Sequence, residues 1–228
     1  MRISGLQKTT LLDYPGKVAC TVFLSGCNLR CPFCHNASLV VRPAEDAVTE
    51  EEFFAFLRKR KGILDGVCIT GGEPTLRTDL PDFIGKIKNL GYLVKLDTNG
   101  TNPEMLEKLI SEGLVDFVAM DIKNAPSRYA PICGGVDVLE AVKKSVELLM
   151  KGTVDYEFRT TCVRPFHDIA AMEEIGKWLA GGSQYYLQKF VDSGDLIGTN
   201  VSELSKEEME ALRQAALPYI QNTHLRGI

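Results

Sequence analysis

The stretch GCNLRCPFCHN, residues 26–36, places Cys27, Cys31 and Cys34 within eight positions. Thiolates are soft ligands, and a group of them suits zinc or an iron–sulfur centre. Structural zinc takes four tetrahedral ligands, and His35 directly after Cys34 is a poor fourth, since adjacent residues rarely both reach one ion. A more distant cysteine would have to complete such a site, yet no second Cys-x-x-Cys pair exists. A redox pair of Cys31 and Cys34 is a weaker option. A four-iron cluster held by three cysteines leaves one iron without a protein ligand, a position open to a substrate or cofactor.

Other residues with chemical potential follow at intervals. Gly71-Gly72-Glu73-Pro74 ends a short apolar run; it is too short for a nucleotide P-loop, and its bland reading is a turn. Asp97 and Asp121 each end an apolar stretch. Either one alone fits helix capping, whereas two converging carboxylates need a positive partner. Lys123 lies two residues beyond Asp121, and Arg159 interrupts a segment otherwise reading as core, where a buried guanidinium needs a counter-charge. His35 is expected to pack near the thiols without ligating, and His167 and His224 to lie on the surface. Cys20, Cys68 and Cys162 read as small core residues. Cys133 falls in a loop with no assignable role, and Tyr185, Tyr186 and Trp178 read as packing.

These residues must be held by an alternating frame. Short β-rich runs are expected at 18–24, 67–70, 93–97, 117–121, 154–163 and 185–188. Between them lie helical patterns: one opened by the capping box at Thr49, then 80–90, one starting at Pro103, 137–150 and 167–179, with a last helix at about 205–216. Alternation of this kind means a parallel sheet with crossover helices. An open doubly wound sheet gathers its site at one switch point. Here unusual residues follow almost every strand, which favours a barrel that brings all carboxyl ends to one mouth. The expected fold is therefore α/β, a partial six-stranded (β/α) barrel of TIM type, its parallel sheet open on one side. It forms a single domain over 1–228, with the core at about 17–190.

Composition narrows the function further. A net charge of −4 gives no basic field for nucleic acid. No apolar run approaches the roughly 18 residues of a membrane span, and residues 1–5 lack a secretory h-region. Seven cysteines, an odd number and mostly scattered, read as a reducing, cytoplasmic setting rather than a disulfide framework.

Cys27-x₃-Cys31-x₂-Cys34 with GGEP about forty residues later resembles the radical S-adenosylmethionine (SAM) enzymes, and the resemblance covers nearly the whole chain, from LLDYPGK at 11–17 to YYLQKF at 185–190. Within that superfamily, CHN at 34–36, DTNG at 97–100 and DIK at 121–123 resemble the glycyl-radical-enzyme activating family. The resemblance implies a radical SAM barrel and one [4Fe-4S] cluster on Cys27, Cys31 and Cys34, its open iron chelated by SAM. It implies a SAM site at Gly71, Gly72, Glu73, Asp97, Asp121, Lys123 and Arg159. There the two glycines would let backbone approach the methionine end, Glu73 would accept its ammonium, and Lys123 would face its carboxylate. Relatives also suggest a monovalent cation beside that carboxylate. The implied partners are a glycyl-radical enzyme, anaerobic ribonucleotide reductase foremost, and a low-potential electron donor such as flavodoxin or ferredoxin. Pyruvate formate-lyase-type activation and small-molecule radical SAM chemistry, such as 7-carboxy-7-deazaguanine synthesis, are the alternatives. The histidine that some relatives carry after the last strand is replaced here by Gln188, Lys189 and Phe190.

Overall fold

Six parallel strands run in sequence order through one sheet: β2 (Ala19–Leu24), β3 (Gly66–Gly71), β4 (Leu93–Thr98), β5 (Phe117–Asp121), β6 (Asp155–Cys162) and β7 (Tyr185–Lys189). The computed structural model describes residues 1–41, 47–192 and 194–228. Two further strands complete the sheet. β1 (Gly5–Thr10) pairs antiparallel with β2, and β8 (Thr223–Arg226) pairs parallel with β7. Among the described residues the sheet is eight-stranded and does not close, so the sequence expectation of six strands is extended at both edges. Neither added strand has a strong sequence signal: β1 is largely exposed and polar, and β8 has four residues.

The intervening helices are α1 (Ala37–Val41), α2 (Glu50–Lys59), α3 (Leu80–Asn89), α4 (Pro103–Ser111), α5 (Tyr129–Ile132), α6 (Leu139–Met150), α7 (Ile169–Trp178) and α8 (Lys206–Ala216). Their starts follow local chemistry. Thr49 and Ser205 each form a complete capping box with the glutamate three residues on. Asn102 accepts from the Met105 N–H ahead of Pro103 at the first turn. One face of each central strand is apolar, with Ile69, Leu96, Met120, Phe158 and Leu187 fully buried. The helices cover it with Phe53, Ile84, Leu106, Leu149 and Ile175.

The other face of the sheet is polar. Register aligns Cys68 with Lys95, Asp97 with Ala119, Asp121 with Arg159, and Thr161 with Gln188. Side chains two apart on a strand share a face, so Lys95 and Asp97 project together, as do Asp121 and Ala119. The parallel direction of β2–β7 carries the ends of all six strands to one rim, where the loops hold the residues with chemical potential.

Candidate active site

At that rim lies a cavity of about 210 Å³, lined among others by Cys27, Cys31, Cys34, Gly71, Gly72, Asp97, Asp121, Lys123 and Arg159. Nine of the ten site residues expected from sequence therefore face one space; Glu73 does not line it. The cysteine loop leaves β2 and is fixed by backbone: Gly26 N–H donates to Leu39 O, and Cys34 N–H to Cys31 O. Cys27 Sγ accepts from the Leu29 N–H at 3.4 Å and from Asn99 Nδ2 at 3.8 Å.

The two glycines are demanded by close approach of backbone to backbone. Gly71 has φ +128°, and a Cβ there would stand 2.1 Å from Leu24 O; a Cβ on Gly72 would stand 2.0 Å from Gly26 O. Gly72 N–H and Glu73 N–H donate to those same carbonyls at 2.7 and 2.8 Å. The GGEP turn is thus pressed onto the root of the cysteine loop, a role beyond the ligand approach expected of it.

Glu73 is buried behind the turn, 1% exposed. Its carboxylate accepts from Thr75 N (3.1 Å), Thr75 Oγ1 (2.5 Å), Thr98 Oγ1 (2.7 Å) and Asn99 N (2.6 Å). The side chain joins the turn after β3 to the turn after β4 rather than pointing into the cavity.

Asp97 and Asp121 are joined through Arg159. Its Nη1 meets Asp97 Oδ2 at 3.2 Å and its Nε meets Asp121 Oδ1 at 2.9 Å. The remaining oxygens are also taken: Asp97 Oδ1 by the Lys95 ammonium, and Asp121 Oδ2 by Lys123 Nζ at 3.0 Å. Burial alone would raise Asp121, but Arg159 and Lys123 outweigh it and hold the carboxyl at about 2. Asp97 is likewise lowered, with Arg159 and Lys95 overcoming its burial. Burial would lower Lys123, but Asp121, followed by Cys31, keeps it above its ordinary value. A dissociable monovalent cation finds both carboxylates already engaged by side-chain cations, so this pair does not fit one.

Several residues differ from expectation or were missed. His167 is buried at 4% exposure, not a surface residue: its ring bridges the Val163 backbone and Lys123 O (3.0 Å), tying the loop after β6 to Lys123. His224 is exposed, as expected. Cys133 caps the end of α5, fully buried, with its carbonyl accepting from Arg30 N–H. Its thiol lies beside Cys31 and lowers the Cys31 pKa against the effect of burial. Cys20, Cys68 and Cys162 are buried core residues, with burial pushing Cys20 up to about 12. His35 lines the cavity with its ring 5.3 Å from that of Phe190; burial lowers its pKa. Gln188 lines the cavity, and Lys189 pairs with Glu203 at 3.0 Å. Lys95, Asn99 and Thr98 escaped the sequence reading; the alternation that puts Lys95 on the face of Asp97 was the signal for the first.

The Radical SAM superfamily profile matches residues 21–179. The chain belongs to the radical SAM superfamily. A Methanocaldococcus jannaschii protein, MJ1227, provisionally named a glycyl-radical enzyme activating enzyme, is 34% identical over 99% of this radical SAM chain and 96% of its own length. A probable GTP 3′,8-cyclase of Thermococcus kodakarensis is 31% identical over 62% of the chain but only 46% of its own length. In fold, the chain resembles Streptococcus suis SuiB bound to S-adenosylmethionine, with a TM-score of 0.70 at 14% identity over 91% of the chain and 52% of SuiB.

Membership of the radical SAM superfamily implies a [4Fe-4S] cluster and SAM, and the residues present suit them. Three thiols from one loop face the cavity, next to the Lys123 ammonium, which offsets thiolate charge. Among the described residues, no group of three or more His, Cys, Asp or Glu could hold a single metal ion. A cluster does not require its ligands to converge on one ion, because each thiolate binds a separate iron. Among the described residues, no helix is long and apolar enough to cross a membrane.

Proposed function

We propose that this chain is a radical SAM activase that cleaves SAM reductively and generates a glycyl radical on a partner enzyme, anaerobic ribonucleotide reductase foremost. The observation that carries this reading is the end-to-end similarity to MJ1227, which spans 96% of that protein. A [4Fe-4S] cluster on Cys27, Cys31 and Cys34 would supply the electron that breaks a carbon–sulfur bond of SAM and leaves a 5′-deoxyadenosyl radical.

The chain's own residues would bind and orient. Lys123 and Arg159, which together with Lys95 outnumber Asp97 and Asp121 three to two, would receive the α-carboxylate of SAM. Gly71 and Gly72 would bring backbone to the methionine end. Glu73, fully engaged by protein donors, would act as a positioning residue that holds this turn rather than as the ammonium acceptor. The open sheet would admit a glycine-bearing loop of the partner to the rim, and a flavodoxin- or ferredoxin-like donor would reduce the protein.

A second reading, turnover of a small molecule, draws on the partial match to the GTP 3′,8-cyclase. One experiment separates the two. Anaerobically reconstituted, reduced protein is given SAM and a candidate reductase deuterated at its radical-site glycine. Deuterium in the 5′-deoxyadenosine supports activation. SAM cleavage with no deuterium transfer would move the assignment to a small substrate.

A further inference from the structure

We infer that Lys95 and Arg159 are built-in counter-cations of this cavity, so that SAM binding here requires no potassium or sodium ion. The inference rests on the reading that the cavity takes SAM.

The acceptor oxygens decide it. Asp97 and Asp121 present four carboxylate oxygens, and each has a side-chain cation of its own. Asp97 Oδ1 is held by Lys95 Nζ, Asp97 Oδ2 by Arg159 Nη1 (3.2 Å), Asp121 Oδ1 by Arg159 Nε (2.9 Å) and Asp121 Oδ2 by Lys123 Nζ (3.0 Å). A hard monovalent ion binds through oxygen ligands, and here every such oxygen already faces an ammonium or guanidinium that would repel it. Three fixed positive charges against two negative ones also leave the group at net +1. A metal cation would add like charge in a mostly desolvated place.

The donors point the same way. Among the described residues, Arg159 donates from Nε and Nη1 and Lys123 gives a single hydrogen bond from its ammonium. Donor hydrogens on both are thus left over while every carboxylate oxygen already has a cationic partner, and such a site favours an anion over a further cation. Lys95 makes the arrangement permanent. It stands two residues before Asp97 on β4, on the same face of the sheet, and is 1% exposed. Among the described residues, its only other close partner is Cys68 Sγ at 3.9 Å. An ammonium tethered there cannot exchange with the medium. Lys95 is accordingly a positioning residue: it holds Asp97, and through it Arg159, for the SAM carboxylate.

The test uses the cluster-loaded protein. SAM dissociation constants are measured in potassium, sodium and tetramethylammonium buffers of equal ionic strength. Values within twofold of one another are expected for the wild type. A tenfold or greater loss on replacing potassium with tetramethylammonium would overturn the inference. For Lys95→Met, checked for native circular dichroism and iron content, SAM binding is expected to weaken at least tenfold in tetramethylammonium and to recover on adding potassium. If that variant binds as the wild type does in every buffer, Lys95 is not the counter-cation. Should the variant fail to fold, the wild-type comparison decides alone. A third measurement does not depend on SAM. Thallium(I) observed by NMR as a potassium surrogate should show no potassium-displaceable site in the wild type, and such a site would refute the inference even if SAM bound nowhere. Absence of SAM binding in all buffers would refute instead the reading of the cavity.

Discussion

Glu73 was expected from sequence to touch ligand, and it is the one predicted site residue turned away from the cavity. Removing it leaves the donors of Thr75, Thr98 and Asn99 unpaired in the core. Glu73→Ala should therefore lower the unfolding free energy of the apo-protein by on the order of 2–4 kcal/mol, read from urea denaturation. Cys27→Ala, Cys31→Ala and Cys34→Ala should each abolish SAM cleavage and lower bound iron and sulfide after reconstitution, while Cys133→Ala should retain both. Asp121 gives a pH signature. Its carboxyl is held at about 2 in the folded chain, below its unfolded value of about 3.9. The native state thus releases this proton more readily, so its stabilising contribution is present above about pH 4 and is lost as pH falls through about 2. Urea midpoints should fall more steeply between pH 4.5 and 2.5 for the wild type than for Asp121→Asn. The thiols, the glycines and the carboxylates were legible because each breaks its local pattern at a strand end. Lys95 was not, since a lysine inside a strand reads as an ordinary outward residue until its face is known. Cys133 was not either, since only tertiary packing brings α5 to Cys31.

The elements that position the site were legible where periodicity and caps agree. β5 was expected over the residues it occupies, and the capping box at Thr49 and the helix start at Ser205 mark their helices correctly. The edge strands were not, because β1 buries little and β8 is too short for alternation to register. What fixes β8 is an ion pair across the polar face of the sheet. Glu157 on β6 is 1% exposed and receives Arg226 Nη1 and Nη2 at 3.1 Å each, and the guanidinium lies 3.9 Å from the centre of the Tyr186 ring. Truncating Arg226 would leave a buried carboxylate uncompensated. Arg226→Ala should cost about 2–3 kcal/mol of stability, less than for a fully enclosed pair because Arg226 is itself partly exposed. Hydrogen exchange should show faster opening of β8 than of β4 in that variant. Unchanged protection at β8 would mean that backbone pairing to β7 suffices.

At the scale of the whole molecule, the sheet stays open and the parallel strands β2–β7 end at the same rim. This gives a site with a charged floor, which under the proposed function would be reached from the open side of the sheet by a loop of the partner. The open edge suits a substrate that is itself a folded enzyme. The central claim is that the radical made here passes to a glycine of such a partner. Its most direct test is electron paramagnetic resonance on a mixture of the reduced protein, SAM and an anaerobic ribonucleotide reductase. The account predicts a doublet from a glycyl radical that needs all three components and is lost with Cys31→Ala. Complete cleavage of SAM with no glycyl radical on the reductase, or on a formate-lyase-type enzyme offered in its place, would contradict it.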